Sequence, residues 1–337
     1  MTFFNFHLTL VSLLFIAVPA RSQPDHLLKI ATLAPEGSSW VKTVRSIDIA
    51  IRDATEGRVG FKIYPGGVQG DEKVVLRKIR IGQLHGGGFA GLGISQIFPD
   101  ILALEMPFLF NSYAEVDYVL DQMDEFYQNG YQESGYEFLG WADIGFVHIF
   151  SKQPVKSVGD IRSLKVWQLA DEPISEVLFR LAKVQSVPLS IPDVLLGLQT
   201  SLIDVVYASP SAAIVLQWFT RVKHVTDLPI NYTLGALLIQ KKAFDKIPSA
   251  DQERLRRIAK EHMAQLGHQI RKENQEAMEV LQANGLSIVH SGPIEIDTFR
   301  ELVRSAQIEL VGTAFSNDAH KQIQHHLAQF RKTPSPP

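Results

Sequence analysis

Apolar runs that end at turns and lead into helix-like patterns recur along the first part of the chain. Leu27–Pro35 is an apolar run closed by proline, which predicts a strand followed by a turn. Trp40–Thr55 follows with apolar residues at helical spacing. Arg58–Tyr64 and a segment from Asp71 to about Ile81 repeat the strand and the helix. Two such units in succession predict a parallel sheet and an α/β fold.

The rest of the chain continues this alternation. Four strands and five helices are predicted there: strands at Gly140–Phe150, Lys165–Trp167, Leu202–Ala208 and Gly235–Gln240, and helices from about Tyr113 to Asn129, Glu172 to Ala182, Asp193 to Thr200, Ser209 to about Arg221 and Ser249 to about Ala283. We expect Gly140–Phe150 to cross into a second lobe. Each lobe is then built from non-contiguous segments.

Residues 1–22 are typical of a secretory signal peptide. Leu8–Val18 is an apolar stretch of suitable length, Pro19 ends it, and Ala20-Arg21-Ser22 fits a cleavage pattern. An uncleaved anchor is the alternative, because no Lys or Arg precedes the stretch, although the stretch is short for a membrane span. The sequence predicts a periplasmic protein cleaved near Ser22. The tail, 333–337, is rich in Pro and Ser and is expected to be disordered.

Composition limits the classes of function. The chain has 337 residues, which favours two domains, and its 33 Lys and Arg against 36 Asp and Glu give a net charge of −3. This balance argues against a nucleic-acid partner. The absence of cysteine excludes a disulfide framework and a thiolate nucleophile.

No motif indicates catalysis, a cofactor or a metal. Gly86–Gly91 formally matches G-x-G-x-x-G, but it follows the second helix rather than the first strand, so a glycine-lined cleft is the better interpretation. His320, His325 and His326 do not share one face of a helix, as metal ligands should. No G-x-S-x-G sequence is present. We therefore expect no cofactor and no metal, with a hydrolase as the alternative, because the members of a catalytic triad can lie far apart in the sequence.

Apolar and aromatic residues, rather than charged ones, stand where strands end and helices begin. In open α/β sheets such positions converge on one ligand cleft. The predicted ligand-binding residues are Leu33, Trp40, Phe89, Phe146, Val147, Trp167, Gln168, Asp171, Ile191, Tyr207, Ser209 and Trp218.

Four long motifs occur in order along the chain: YPGGVQGDEKVVLRKIRIGQL, FPDILALEMPFLF, DIRSLKVW and DVLLGLQTSLIDVVYASP. Together they resemble the substrate-binding proteins of TRAP transporters, the DctP-type P subunits. The resemblance implies a two-lobed periplasmic binding protein fold, in which crossing strands and a long hinge helix join two α/β lobes. It also implies a non-catalytic protein that delivers a small ligand, usually an organic anion, to the membrane subunits of a TRAP permease.

The same resemblance divides the chain into segments. Lobe I is expected to comprise 23–146 and 233–276, and lobe II 147–232 and 277–315. A C-terminal helix, 316–332, follows the second lobe.

Three positions depart from the family pattern. The arginine that usually pairs with the ligand carboxylate falls on Trp167, a second frequent arginine falls on Val147, and a frequent Asn or Glu falls on Ser209. Arginine–carboxylate pairs are bidentate and charge-assisted, whereas an indole offers an apolar face and one N–H donor. The chain thus resembles the subgroup without the carboxylate-binding arginine, which includes P subunits that work with a tetratricopeptide-repeat partner.

These departures predict an apolar or weakly polar ligand, lipid-like ligands included. The alternative is an organic acid held by basic residues from elsewhere, with Arg162, Lys165 and Lys152 as candidates. A ligand with a cationic group, bound by Asp171 and stacked on Trp167, is a third hypothesis.

We expect export to release a mature protein that begins at Gln23. The reason is the apolar stretch Leu8–Val18 followed by the Ala20-Arg21-Ser22 pattern. N-terminal sequencing of periplasmic material tests this, and retention of Leu8–Val18 would show an anchor instead.

Overall fold

The computed structural model describes residues 23–332. The predicted signal peptide, 1–22, and the predicted disordered tail, 333–337, lie outside the described residues. The elements of the first half are β1 (His26–Thr32), α1 (Ser39–Ala54), β2 (Val59–Tyr64), α2 (Glu72–Arg80), β3 (Gly86–Phe89), α3 (Gly91–Ile97), a 3-10 turn (Pro99–Glu105), α4 (Tyr113–Gln122), α5 (Asp124–Glu133) and β4 (Tyr136–Ser151).

The elements of the second half follow in the same alternating manner. They are α6 (Val158–Ile161), β5 (Lys165–Leu169), α7 (Pro173–Ala182), β6 (Gln185–Leu189), α8 (Ile191–Gln199), β7 (Val205–Ala208), α9 (Pro210–Val215), a 3-10 turn (Trp218–Arg221), β8 (His224–Thr226), β9 (Asn231–Gln240), α10 (Lys241–Phe244), α11 (Ser249–Ala283), β10 (Ser287–Val289), α12 (Pro293–Leu310) and α13 (Asn317–Lys332).

The first lobe is built on one sheet with strand order β2-β1-β3-β9-β4. β1 pairs in parallel with β2 and with β3, as the two strand–helix units predict, whereas β9 runs antiparallel to β3. Separate apolar clusters cover the two faces: α1, α10 and α11 pack on one, and α3, α4, α5 and α13 on the other. The two-lobed α/β fold predicted from the sequence is therefore present.

The glycine run forms a strand, where the sequence predicts only a cleft wall. β3 consists of three glycines and Phe89, all buried. Its backbone passes directly beneath the indole of Trp40, so a Cβ added to Gly88 would overlap that ring. The glycines are needed because backbone and aromatic ring approach this closely.

The second lobe is built on the far half of β4. β4 pairs with β9 from Tyr136 to Val147, then with β7 from His148 to Ser151. β5 pairs in parallel with β6 and β7, and β10 pairs in parallel with β8. The predicted crossing strand thus contributes to both lobes.

The long helix α11 connects the lobes on the outside of β4. Arg271 binds Asp143 of β4 and also Asp117 of α4, and its guanidinium lies 4.6 Å from the ring centroid of Tyr113. Asn274 donates to the carbonyl of Ile144 (2.9 Å) and accepts from the N–H of Ser211 (3.0 Å). The helix is therefore bonded to the crossing strand and to α9 of the second lobe.

The C-terminal helices attach to different lobes. α12 packs against α7 of the second lobe. α13 packs on α4 and contributes Ala319, Ile323 and Leu327 to the core of the first lobe. We propose the lobe boundaries predicted above, with α13 added to the first lobe. None of the helices between residues 23 and 332 has the length and apolarity that a membrane crossing requires.

We expect Gly88→Ala to destabilise the protein by about 1–3 kcal/mol, because the new methyl group must displace the Trp40 ring. Gly159→Ala is the matched control: its new methyl meets only Ser157 at an ordinary distance, and alanine favours the helix. Chemical denaturation of both variants measures the difference. Equal stabilities would contradict the close approach.

Candidate functional site

A cavity of about 270 Å³ lies between the lobes. The first lobe contributes the ends of β1 and β3 and the start of α1, and the second contributes the ends of β5 and β7 and the start of α9. This is the position where parallel α/β sheets bind ligands. The volume is close to the lower end of small-molecule sites, which start at roughly 300 Å³.

The lobes touch at the rim of this cleft. Lys73 of α2 forms an ion pair with Asp171, which follows β5 in the second lobe. Gly67 of the first lobe lies against Pro192 at the start of α8. The structure therefore represents a closed arrangement of the two lobes.

Most of the predicted ligand-binding residues lie on the cleft surface. Nine of them do so: Leu33, Trp40, Phe89, Val147, Trp167, Ile191, Tyr207, Ser209 and Trp218. Their contact with a ligand stays a prediction.

Three predicted residues lie elsewhere. Phe146 packs in the first lobe against Tyr113 and Tyr232. Gln168 accepts a hydrogen bond from Ser186 on the neighbouring strand β6 (2.7 Å). The side chain of Asp171 is 65% exposed and forms an ion pair with Lys73, so a cationic ligand bound there, which stays a prediction, would have to displace this lysine.

Most of the Trp167 side chain is buried in the core of the second lobe rather than exposed to the cleft. It is only 3% exposed, stacks on Tyr207 and meets Trp218 edge-on. Its indole N–H donates to the carbonyl of Leu189 (3.0 Å), so that donor is not free for a ligand. The large free apolar face expected for this indole is mostly covered by other aromatic rings.

None of the side chains on the cleft surface is Lys, Arg or His. The three basic candidates are engaged outside it: Arg162 donates to the carbonyl of Ala182 (2.7 Å), Lys165 to the carbonyl of Ser201, and Lys152 to the hydroxyl of Ser201 (3.0 Å). All three lie away from the cleft surface, and the prediction that one of them holds an organic acid stays a prediction.

Carboxyl groups take the place of cations in this cleft. Glu72 accepts from the backbone N–H groups of Ala90 (2.6 Å) and Gly93 (2.7 Å) at the start of α3. Glu172 accepts from Ile174 and Ser175 (2.8 Å each) at the start of α7. Helix N-termini attract anions, and here the chain's own carboxylates occupy two of them.

The third carboxyl is Glu105, at the end of a 3-10 turn. One oxygen, Oε1, accepts from the backbone N–H of Leu234 on β9 (3.2 Å). Burial raises its pKa to about 8, and the negative charge of Glu172 adds to the increase. Burial likewise raises the pKa of Glu72 to about 7, against the lowering effect of its two backbone hydrogen bonds.

Comparisons with known proteins agree with this architecture. The chain matches the family model of the bacterial extracellular solute-binding proteins, family 7, over residues 30–310. The chain belongs to this family.

A "Solute-binding protein" of Verminephrobacter eiseniae is 26% identical over 71% of this chain and 72% of its own length. A TRAP periplasmic solute-binding protein from Ralstonia eutropha with bound (S)-2-acetolactate superposes with a TM-score of 0.84, at 18% identity, covering 90% of this chain and 99% of that one. One from Xanthobacter autotrophicus with bound β-D-galacturonate gives 0.83, at 19% identity, covering 89% and 99%.

As a member of this family, the chain is a TRAP-type solute-binding protein rather than an enzyme. The family is extracellular, which agrees with the predicted export, and its members work with membrane permease subunits. The described residues contain no group of three or more His, Asp or Glu side chains that could hold a metal.

The three glutamates are not among the ligand-binding residues that the sequence predicts. Glu72 and Glu172 stand at helix starts, where acidic residues are ordinary and draw no notice. Glu105 could have been found, because it is the lone charge in the apolar run ILALEMPFLF. A charged residue in such a run is buried with its neighbours and is unusual enough to suggest a role.

We expect Trp167→Ala to lower the free energy of unfolding by about 3–5 kcal/mol, since it leaves a cavity between Tyr207 and Trp218. Trp167→Phe keeps an aromatic ring but loses the bond to Leu189, so a loss of about 1–3 kcal/mol is expected. Denaturant melts measure both. A loss below 1 kcal/mol for Trp167→Ala would contradict its burial.

Proposed function

We propose that this protein is the ligand-binding subunit of a TRAP transporter that closes on a small organic acid and delivers it to the membrane permease. The observation that carries the proposal is the cavity of about 270 Å³ between two lobes in contact at their rim. The relatives' ligands support the chemical class, because acetolactate and galacturonate are both compact carboxylic acids.

The size of the cavity speaks against a lipid-like ligand. A volume near the lower end of small-molecule sites fits a compact solute and leaves no room for a long chain. The alternative ligand class named from the sequence, an organic acid, is therefore preferred to the apolar one. The tetratricopeptide-repeat partner expected for the subgroup without the arginine has no support in the comparisons.

An organic acid in this cleft must be bound without arginine. Trp167 and Val147 occupy the two positions where the family resemblance places arginines, and no other basic side chain replaces them on the cleft surface. Asn231 and Thr233 are neutral polar residues of the surface that can hydrogen-bond a hydroxyl or a carboxylate. This set supports membership in the subgroup without the carboxylate-binding arginine.

A second candidate is an uncharged, weakly polar solute of the same size. The cleft surface favours it, because aromatic and aliphatic side chains predominate and a buried carboxylate without a partner costs several kcal/mol. Trp40, Phe89 and Val147 would supply the apolar contacts.

We expect small organic acids to raise the melting temperature and reduce the radius of gyration of the purified protein, because the ligand favours the closed arrangement. D-galacturonate and 2-acetolactate serve as acidic probes and indole as an uncharged probe of similar size. Thermal shift and small-angle scattering at pH 6 provide the measurements.

Native mass spectrometry of periplasmic material identifies any ligand that co-purifies. Binding of indole but of no acid would favour the second candidate. If no small solute binds or co-purifies, the proposed function itself is wrong.

A further inference from the structure

Glu105 has one carboxyl oxygen without a hydrogen-bond partner among residues 23–332. The side chain is 93% buried, at 7% exposure, and lies on the cleft surface. Oε1 accepts from Leu234, whereas no donor of the described residues bonds to Oε2. Both carboxyl oxygens lie close above Gly91, where any side chain larger than hydrogen would collide with them. The glycine thus leaves room for this carboxyl group beside the cavity.

The surroundings of Glu105 disfavour its ionised form. Burial is the main cause, the charges of Glu172 and Glu72 add to it, and among residues 23–332 no positive side chain lies on the cleft surface. Tyr131 of α5 is the titratable neighbour on the far side and is neutral at physiological pH, since burial raises its pKa. Tyr232 of β9 directs its hydroxyl to Asp143. With a pKa of about 8, Glu105 carries a proton at neutral pH.

We propose that the protonated carboxyl of Glu105 binds the ligand's acid group, donating its O–H to the carboxylate in place of the arginine. This inference rests on the proposed function and adds the residue and the protonation state. One O–H···O⁻ hydrogen bond forms, which is among the short and strong hydrogen bonds. No covalent bond changes, and the proton stays between the two carboxyl groups.

Neither neighbouring glutamate can act in the same way. Both oxygens of Glu72 and both oxygens of Glu172 already accept backbone N–H groups at helix starts. A proton on either would remove one of these hydrogen bonds. Glu105 is the one of the three whose free oxygen lacks a donor of its own.

The proposal predicts a pH dependence of defined sign. Small carboxylic acids stay ionised between pH 6 and pH 9, so only the protein titrates. Binding needs the protonated form of Glu105; it is full below the pKa and is lost as the pH rises through about 8. The affinity for an acid should therefore fall about tenfold between pH 7 and pH 9.

Titration calorimetry with D-galacturonate and 2-acetolactate at pH 6, 7, 8 and 9 tests this on the mature protein and three variants. Glu105→Gln keeps an acceptor for Leu234 and an N–H donor for the ligand. This variant should bind the acid at all four pH values. Its affinity should change about threefold or less across them, because Glu72 still titrates nearby. Glu105→Ala removes the donor and should bind at least about tenfold more weakly at pH 6.

Glu273→Gln is the matched control. Glu273 is another carboxylate of the cleft surface, but it is only partly buried, and its Oε1 already accepts from Ser39 and Gln269. This variant should keep the tenfold difference between pH 7 and pH 9. Melting curves at each pH establish that all variants are folded.

The results separate this inference from the proposed function. If the acids bind with an affinity that is constant or rises from pH 7 to pH 9, or if Glu105→Gln binds as poorly as Glu105→Ala, the role of Glu105 is wrong and the proposed function stands. If no acid binds at pH 6, the proposed organic-acid function is wrong, and the role of Glu105 is wrong with it. Tighter binding of choline at pH 9 than at pH 6 would indicate a cationic ligand and would overturn the inference.

Discussion

The antiparallel pairing of β4 with β9 is the constraint on which the rest of the molecule depends. β4 leaves the first sheet at Val147 and enters the second at His148, so the two lobes share one continuous strand. The register shifts between Asp143 and Gly145, where Gly145 adopts φ 111° and lies against the amide of Asn274. Any other residue at Gly145 would be strained and would collide with Asn274, which bonds the long helix to this point. The short bulged segment of β4 near Gly145 thus determines how the two lobes are placed relative to each other.

The cleft differs from the family pattern in two ways: it lacks the expected arginines, and it contains glutamates bound at helix N-termini. Strand-to-helix turns direct several helix N-termini at the cleft, which makes it attractive to anions. Glutamates from the chain itself bind at two of these N-termini, and the positions expected for arginine hold Trp167 and Val147. The remaining arginine near the cleft, Arg271, is already paired with Asp143 and Asp117. The protein must neutralise the third glutamate, Glu105, with a proton or with what it binds.

Local pattern was sufficient to predict much of the fold. The four buried residues of α1 recur at helical spacing, and the predicted limits of the 35-residue helix α11 agree with the observed ones, because both helices present one regular apolar face. β3 was missed since a glycine strand carries no alternation of side chains; its stability comes from its neighbours β1 and β9.

The site was less predictable, because its chemistry depends on residues far apart in the sequence. Nothing around Trp167 in the sequence shows that Tyr207 and Trp218 cover its ring or that Leu189 takes its N–H. Burial and the charge of Glu172, a residue far away in the sequence, likewise raise the pKa of Glu105. Position along strands therefore predicted which residues surround the cleft, but not which polar groups remain free.

Pro188 on β6 has a consequence for the behaviour of many copies together. β6 is the last strand of its sheet, and Pro188 is exposed and lacks the N–H that an added strand would require. Edge strands without such an interruption can recruit a strand from another molecule and start aggregation. Pro188 therefore limits the pairing of this edge strand with a strand of another molecule, independently of what the cleft binds.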